Sequence, residues 1–482
     1  VDRVHRIGTR AGFQPAEIPM TMLIAILLLM VLAPARAGAQ PFSDAQPPRA
    51  TLAVVGGFLI DGHEGPPIRN SVVLVDGQKI VAVGTMDSLK VPAGAKVVDA
   101  AGYTVMPGLI DSHVHIDTLG MADYYRYHRS YRSRYVETMT IAARQKLLAG
   151  TTTILELGAQ PEPMKTVLGR IERGEIPGPR IRSSMGWFLN TSPEAFQRHF
   201  TARQHYTTNV RTVEEARAAV LKAVADGAGV IKQMGGLTPE QMRVVAEEAH
   251  RNNLKVTGHV GDRDNTLMLV RNGLDGIEHG GGIDPDDVEL VRELRARRVT
   301  IIPTNVQSLA ATLAYTEEPG WVDSPKMRAL TPPAIWSDIR ETLLHMNRLP
   351  YFRGEIRQRR IEDQGRQVKR LYDAGLRIVA GTDSASQGNF HVDALWRQME
   401  LLVRFGIPPM EVISMTTRLA AEWVGMAGQV GTIEPGKLAD IIIVDGNPLT
   451  HMRDMRHVVT VIKGGVQYGG TEPMKSVTPD AQ

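Results

Sequence analysis

Short apolar runs punctuated by Gly, Asp and Pro follow a Pro-containing stretch at 40–50: Leu52-Ala53-Val54-Val55, Ser71-Val72-Val73-Leu74-Val75 and Lys79-Ile80-Val81-Ala82-Val83. Runs of this length and β-branched content, bounded by turn residues, predict β-strands. The far end of the chain mirrors them in Asp440-Ile441-Ile442-Ile443-Val444-Asp445-Gly446 and His457–Lys463, with no helical period between. Both ends therefore predict one small β domain, a β-sandwich, into which the middle of the chain is inserted. Between them, short apolar strands alternate with longer helical patterns, the mark of βα units around a parallel sheet. Eight candidate strands can be placed: Val105–Ile116, Thr152–Leu157, Arg180–Met185, Gly229–Gln233, Lys255–Val260, Gly276–His279, Val299–Pro303 and Arg377–Thr382. Their number and the length they span predict an α/β fold, a (β/α)8 TIM barrel. One helix can be read closely: Thr238 as N-cap, Pro239 at the first helical position and Gln241 completing a capping box, before Met242, Val245, Ala246 and Ala249 line one face.

The N-terminal pattern differs. Met20–Leu32 is a charge-free apolar run of thirteen residues, preceded by Arg3, Arg6 and Arg10 and followed by a small-residue stretch ending at Ala39. The run is shorter than the roughly 20 residues a spanning helix needs, and the pattern predicts a signal peptide. The expected organisation is a signal peptide at 1–39, a linker at 40–50, and the β domain at 51–104 and 428–470. The barrel takes 105–427 and a tail 471–482. The expected product is exported, periplasmic or secreted, with no membrane anchor after cleavage.

Composition narrows the chemistry. Of 482 residues, 43% are hydrophobic and 22% charged, an ordinary globular balance, and the net charge is only +3. That balance offers no electrostatic footprint for a nucleic-acid partner. There is no cysteine, which excludes disulfides, thiolate metal ligands and a thiol nucleophile. Polar residues instead stand at the ends of the apolar runs. His113 and His115 lie two apart in Asp111-Ser112-His113-Val114-His115, so on a strand they share a face. Lys232 lies near the end of the fourth candidate strand; His259 ends the fifth, His279 the sixth, and Asp383 follows the eighth. Barrel closure brings all those ends to one rim, and imidazole with carboxylate there favours a divalent ion such as zinc or manganese. Arg126, Tyr127 and His128, in a basic and aromatic segment after the first strand, are candidates for clamping a substrate carboxylate. The segment Asn305–Arg366 is the expected lid or pocket wall. Glu156, Arg182 and His391 are further candidates at the rim.

These features resemble the amidohydrolase superfamily over nearly the whole chain after residue 39. The resemblance is carried by Pro107-Gly108-Leu109-Ile110-Asp111-Ser112-His113-Val114-His115, Ala149-Gly150-Thr151-Thr152-Thr153, His259, His279, Gly381-Thr382-Asp383-Ser384 and Gly436-Lys437-Leu438-Ala439-Asp440. Lys232, in Ile231-Lys232-Gln233-Met234-Gly235-Gly236, is similar to the carboxylated lysine of the imidazolonepropionase-like and Xaa-Pro dipeptidase-like branch. The resemblance implies two divalent metal ions, with zinc the expected metal: His113, His115 and Asp383 on one, His259 and His279 on the other, and N-carboxylated Lys232 joining both. It implies hydrolysis of amide bonds in dipeptides or N-acyl amino acids by a hydroxide shared between the ions, with Asp383 as proton shuttle. Lactones and cyclic amides stay open as substrates of the same site. A mononuclear deaminase is disfavoured because aspartates, and no glutamate, follow His259 and His279. A non-catalytic periplasmic binding protein is the remaining alternative. A small-molecule substrate is the expected partner, and homo-oligomerisation stays open.

Overall fold

The computed structural model describes residues 49–120, 124–200, 206–280, 282–304, 320, 324–345, 354–386 and 388–469. The signal-peptide segment, nearly all of the linker, the tail 471–482 and much of the Asn305–Arg366 segment lie outside the described residues. Within the last, helices Pro325–Leu330, Pro333–His345 and Gly354–Asp373 are described. Among the described residues no helix is long and apolar enough to cross a membrane.

Strands from both chain ends meet in one eight-stranded sheet. Among the described residues the first six strands are β1 (Leu52–Leu59), β2 (Ile68–Asp76), β3 (Lys79–Thr85), β4 (Lys96–Asp99), β5 (Thr104–Pro107) and β6 (Leu109–Val114). The last three are β16 (Ile441–Val444), β17 (Val458–Lys463) and β18 (Val466–Tyr468). The sheet runs β18-β17-β16-β5-β1-β2-β3, with β4 on β1. The two ends join where β5 pairs antiparallel with β16, Thr104 opposite Val444 and Pro107 opposite Ile441. Register shifts in β1 let its first half pair with β4 and its second half with β5. Apolar side chains from both ends, among them Val54, Val73, Val105, Ile441 and Ile462, form one core there, and burying them is what holds the chain ends together.

The middle of the chain is parallel. It supplies β7 (Thr151–Glu156), β8 (Arg180–Ser183), β9 (Trp187–Leu189), β10 (Thr207–Asn209), β11 (Ile231–Gln233), β12 (Val256–Gly258), β13 (Gly276–Glu278), β14 (Thr300–Ile302) and β15 (Arg377–Ile378). One sheet is β6-β7-β8 and the other β10-β9-β11-β12-β13-β14-β15. Backbone hydrogen bonds link them at two seams. Ser112 donates to the Ala380 carbonyl at 3.0 Å and Asp383 to the His113 carbonyl at 2.8 Å, while Gly229 donates to Ser183 at 2.8 Å. The arrangement is TIM-barrel-like. Gly381 lets the first seam close, since a Cβ there would stand 2.4 Å from an Ile302 methyl and 3.0 Å from the His113 nitrogen.

The strand predictions need two corrections. The run Val105–Ile116 is two strands, because the chain passes from the terminal sheet in β5 to the parallel sheet in β6 across Gly108. The three-residue strands β9 and β10 have no counterpart in the sequence reading, being too short to show a period. The helix Pro239–Arg251 forms as expected. Thr238 Oγ1 accepts from the Gln241 nitrogen at 3.2 Å, Gln241 Oε1 accepts from the Thr238 nitrogen at 2.9 Å, and the predicted face is buried.

Candidate functional site

The ends of the parallel strands bring five predicted side chains together. On β6 and its extension, His113 and His115 face the same way, their Nε2 atoms 3.2 Å apart. Asp383 Oδ1 lies 3.5 Å from His113 Nε2 and 3.2 Å from His115 Nε2, so the three form one group able to hold an ion. After β12 and β13, His259 and His279 set their Nε2 atoms 2.7 Å apart. The ring centroids of His113 and His279 are 5.3 Å apart, which makes the two histidine pairs neighbours. Both His279 and Asp383 have positive φ, 69° and 51°. A non-glycine residue pays about 1–3 kcal/mol for such a conformation, and such residues concentrate at functional sites.

Lys232, on β11, is buried, and its Nζ finds no hydrogen-bond partner among the described residues. Burial lowers its pKa, opposed by the charges of Glu278 and Asp383. A buried ammonium left without partners is costly, and a lowered pKa favours the neutral amine that carboxylation requires.

Glu278, which the sequence reading passed over, organises the floor of the site. It is buried on β13, with one oxygen against His113 Nδ1 and the other accepting from Thr257 Oγ1 of β12. Burial opposes its ionisation, yet the charges of His113 and Lys232 and the two hydrogen bonds hold its carboxyl at about 2. Engaging Nδ1 in this way fixes the ring and leaves Nε2 facing the other ligands. Thr304 Oγ1 meets His279 Nδ1 in the same fashion. The signal available in the sequence was position alone, a glutamate directly before His279.

The electrostatics suit a metal. Burial lowers the pKa of His259 far below its ordinary value, helped by the charges of Lys232, His279 and His113. Burial also takes His279 down to about 4. Both are then neutral imidazoles, the ligating form. Burial would raise the Asp383 carboxyl, but the hydrogen bond from His115 and the charges of His113, His115 and His279 hold it well below the usual range. Two imidazole pairs with converging nitrogens, an ionised carboxylate and an orphaned amine fit a divalent metal centre.

Behind Asp383 lies a buried clamp. Lys146, on the helix Tyr135–Leu148, donates to Asp111 Oδ2 at 2.6 Å. The same carboxylate accepts from the Thr382 nitrogen at 2.9 Å and from Thr382 Oγ1 at 2.6 Å. Strand β6 and the turn carrying Asp383 are thereby tied together.

The remaining candidates fall into place around this centre. Tyr127 and His128 lie on the helix Tyr124–Ser130 and are buried. The Tyr127 hydroxyl donates to the Asp117 carbonyl at 3.0 Å, and His128 Nδ1 lies 2.6 Å from the Tyr135 hydroxyl. Their polar atoms thus make contacts inside the fold, and the rings of Tyr206 and Trp187 form a chain of ring contacts from His128 to His115. The Arg126 side chain lies outside the described residues. Glu156 ends β7 and stands with Asp117 beside His115. Burial and the Asp117 charge push its carboxyl up to about 7, against His115 and a hydrogen bond from Ser183. Arg182, on β8, donates to the Gly229 carbonyl at 2.9 Å, just before β11. His391 is buried between Ser384 Oγ at 3.1 Å and the Thr118 carbonyl at 3.0 Å, which anchors the turn after Asp383. Trp187, from the unpredicted β9, sets its ring edge-to-face with His115 at 5.9 Å and its Nε1 donates to Thr207 Oγ1 at 2.6 Å.

Known proteins share this arrangement of sequence and fold. The chain is 25% identical to ochratoxinase of Aspergillus niger over 477 residues, covering 89% of each. It is 25% identical to imidazolonepropionase of Geobacillus kaustophilus (strain HTA426) over 439 residues, 83% of this chain and 90% of that protein. The crystal structure of a Xaa-Pro dipeptidase with bound methionine in the active site superposes with a TM-score of 0.69 at 23% identity, over 87% of this chain and all of the other. The Amidohydrolase family profile matches residues 104–467. The chain belongs to the amidohydrolase family, and it is a hydrolase of carbon–nitrogen bonds.

Proposed function

We propose that the chain hydrolyses the amide bond of dipeptides or N-acyl amino acids at a centre for two divalent ions, zinc the expected metal. The convergence of two histidine pairs, Asp383 and the unpartnered Lys232 amine carries this reading. His113, His115 and Asp383 would hold one ion, His259 and His279 the other, and Lys232, carboxylated on Nζ by carbon dioxide, would join them. When bound, the ions polarise the substrate carbonyl and make water acidic enough to attack near neutral pH.

The protein's own groups do the rest. Asp383 accepts the proton of the attacking water and passes it to the leaving nitrogen, and the Asp111 clamp and His115 keep its carboxylate in place. Glu278 and Thr304 hold the rings of His113 and His279. Trp187 and Tyr206 form an aromatic wall beside His115, suited to excluding water and contacting an apolar part of the substrate.

The two hydrogen-bonded seams support a closed eight-stranded barrel, and the register shifts of β1 support a terminal sheet folded on itself as a sandwich. The leader-like pattern of residues 1–39 supports an exported, periplasmic or secreted enzyme. Replacing Lys232 with Ala is expected to lower the metal content, measured by mass spectrometry after dialysis, from two ions per chain toward one or none, with hydrolysis falling in parallel. Unchanged metal content would remove Lys232 from the centre.

A further inference from the structure

A primary amide stands between two of the strands that carry the proposed ligands. Gln233 follows Lys232 on β11 and is fully buried. Its backbone pairs with Gly258 of β12, and its carbonyl accepts from the His259 nitrogen at 3.3 Å. An evenly spaced parallel ladder would next send the nitrogen of residue 235 to the His259 carbonyl. That bond is not made among the described residues. The chain leaves the ladder at Gly235 and Gly236, whose φ values are 117° and 75°, and turns toward the end of β9, where the Gly235 carbonyl accepts from the Asn190 nitrogen at 3.1 Å. The Gln233 side chain takes the place left open. Its Nε2 donates to the His259 carbonyl at 2.6 Å, the one hydrogen bond that carbonyl receives among the described residues. Gln233 thus grips His259 through both of its backbone groups, just where the strand ends, and so fixes the direction in which the imidazole leaves the chain.

Packing alone does not call for a glutamine here. Its Oε1 is buried without a hydrogen-bond partner among the described residues, a cost that an apolar side chain of the same length would avoid. The room for the amide exists because residue 258 is glycine, since a Cβ there would stand 2.4 Å from Gln233 Nε2. An amide also donates without carrying a charge beside the imidazoles. The Asp383 side of the centre is held more than once over. The Gly381 carbonyl accepts from Gln398 Nε2 at 2.9 Å, on the helix Ala394–Arg404, and the Thr382 carbonyl from Asn389 Nδ2 at 2.7 Å, in addition to the bonds to Asp111. The His259 side depends on Gln233.

We propose that Gln233 is the positioning residue of His259: its side chain completes the β11–β12 ladder, aims the His259 imidazole at His279, and so sets the affinity of the ion these two histidines hold. The assignment rests on the two-ion reading given above.

Dialysis against buffered free zinc, with metal per chain measured by mass spectrometry, tests it on two variants. Gln233→Met keeps the length of the side chain and removes the donor; Gly258→Ala keeps the glutamine and pushes its amide off the carbonyl. In both, circular dichroism should be unchanged, one ion should bind as in the unaltered protein, and the other about 10–100-fold more weakly. Raising free zinc by the same factor should restore kcat with KM unaltered, which a packing defect would not allow. In a His279→Ala background, where His113, His115 and Asp383 remain to hold a single ion, adding Gln233→Met should leave the binding of that ion as it was. Unaltered affinity for both ions in Gln233→Met would overturn the assignment. So would equal weakening of both ions, or weakening of the single ion in the His279→Ala background, since either makes Gln233 a packing residue of the whole site. If Gln233→Met fails to fold, Gly258→Ala decides the matter by the same readings, and failure of both to fold assigns Gln233 to the core. Fewer than two ions on the unaltered protein would overturn the two-ion reading and this assignment with it, a failure that shows before any substitution is made.

Discussion

The Asp383→Asn protein is expected to fold and to hydrolyse amides roughly 10²–10⁴-fold more slowly than the unaltered enzyme, the range for losing a positioned acid–base group. An amide side chain keeps the shape of the carboxylate but neither takes up a proton at neutral pH nor carries the charge that His113, His115 and His279 now stabilise. Its backbone is held independently of its side chain. The Asp383 nitrogen donates to the His113 carbonyl, and the preceding Thr382 is bonded to Asp111 through both nitrogen and hydroxyl. The loss should therefore appear in kcat with far-ultraviolet circular dichroism unchanged. A rate within about tenfold of the unaltered enzyme would take the proton shuttle away from Asp383.

The second large effect is on stability. Replacing Lys146 with Met is expected to cost about 3–5 kcal/mol, the usual result of removing one partner from a buried ion pair. Both side chains are fully buried, and Asp111 would keep its charge with only neutral donors, Thr382 through nitrogen and hydroxyl and the His113 nitrogen, left to satisfy it. Burial already lowers the Lys146 pKa, and the charge of Asp111 and the hydrogen bond to it are what sustain the ammonium. Urea unfolding followed by tryptophan fluorescence measures the change. A loss below about 1 kcal/mol would mean that water or a neighbour takes the place of the ammonium, and that the clamp does not hold the Asp383 turn.

Much of the candidate site was legible because of where its residues fall. His259, His279 and Asp383 each close an apolar run, and residues at parallel-strand ends converge on one rim whatever the loops do. His113 and His115 needed only the two-residue period of a strand. The clamp was not legible, since Lys146 lies in a helix where a lysine ordinarily faces water and its burial follows from tertiary packing alone. Glu278 was hidden for a related reason: its role depends on Thr257 and His113, which two other strands bring to it. In the fold, the break between β5 and β6 was masked because the run Val105–Ile110 continues across it without a polar side chain and is buried in both sheets. Trp187 entered only with β9, whose three residues show no period.

Hydrolysis by the zinc-loaded protein across dipeptides, N-acyl amino acids, lactones and cyclic amides tests the central claim most directly. The proposed function predicts release of a free amino acid from dipeptides or N-acyl amino acids, abolished by removing the metal with a chelator and restored by its return. Ring opening of lactones or cyclic amides without release of any amino acid, from protein holding two ions per chain, would contradict it.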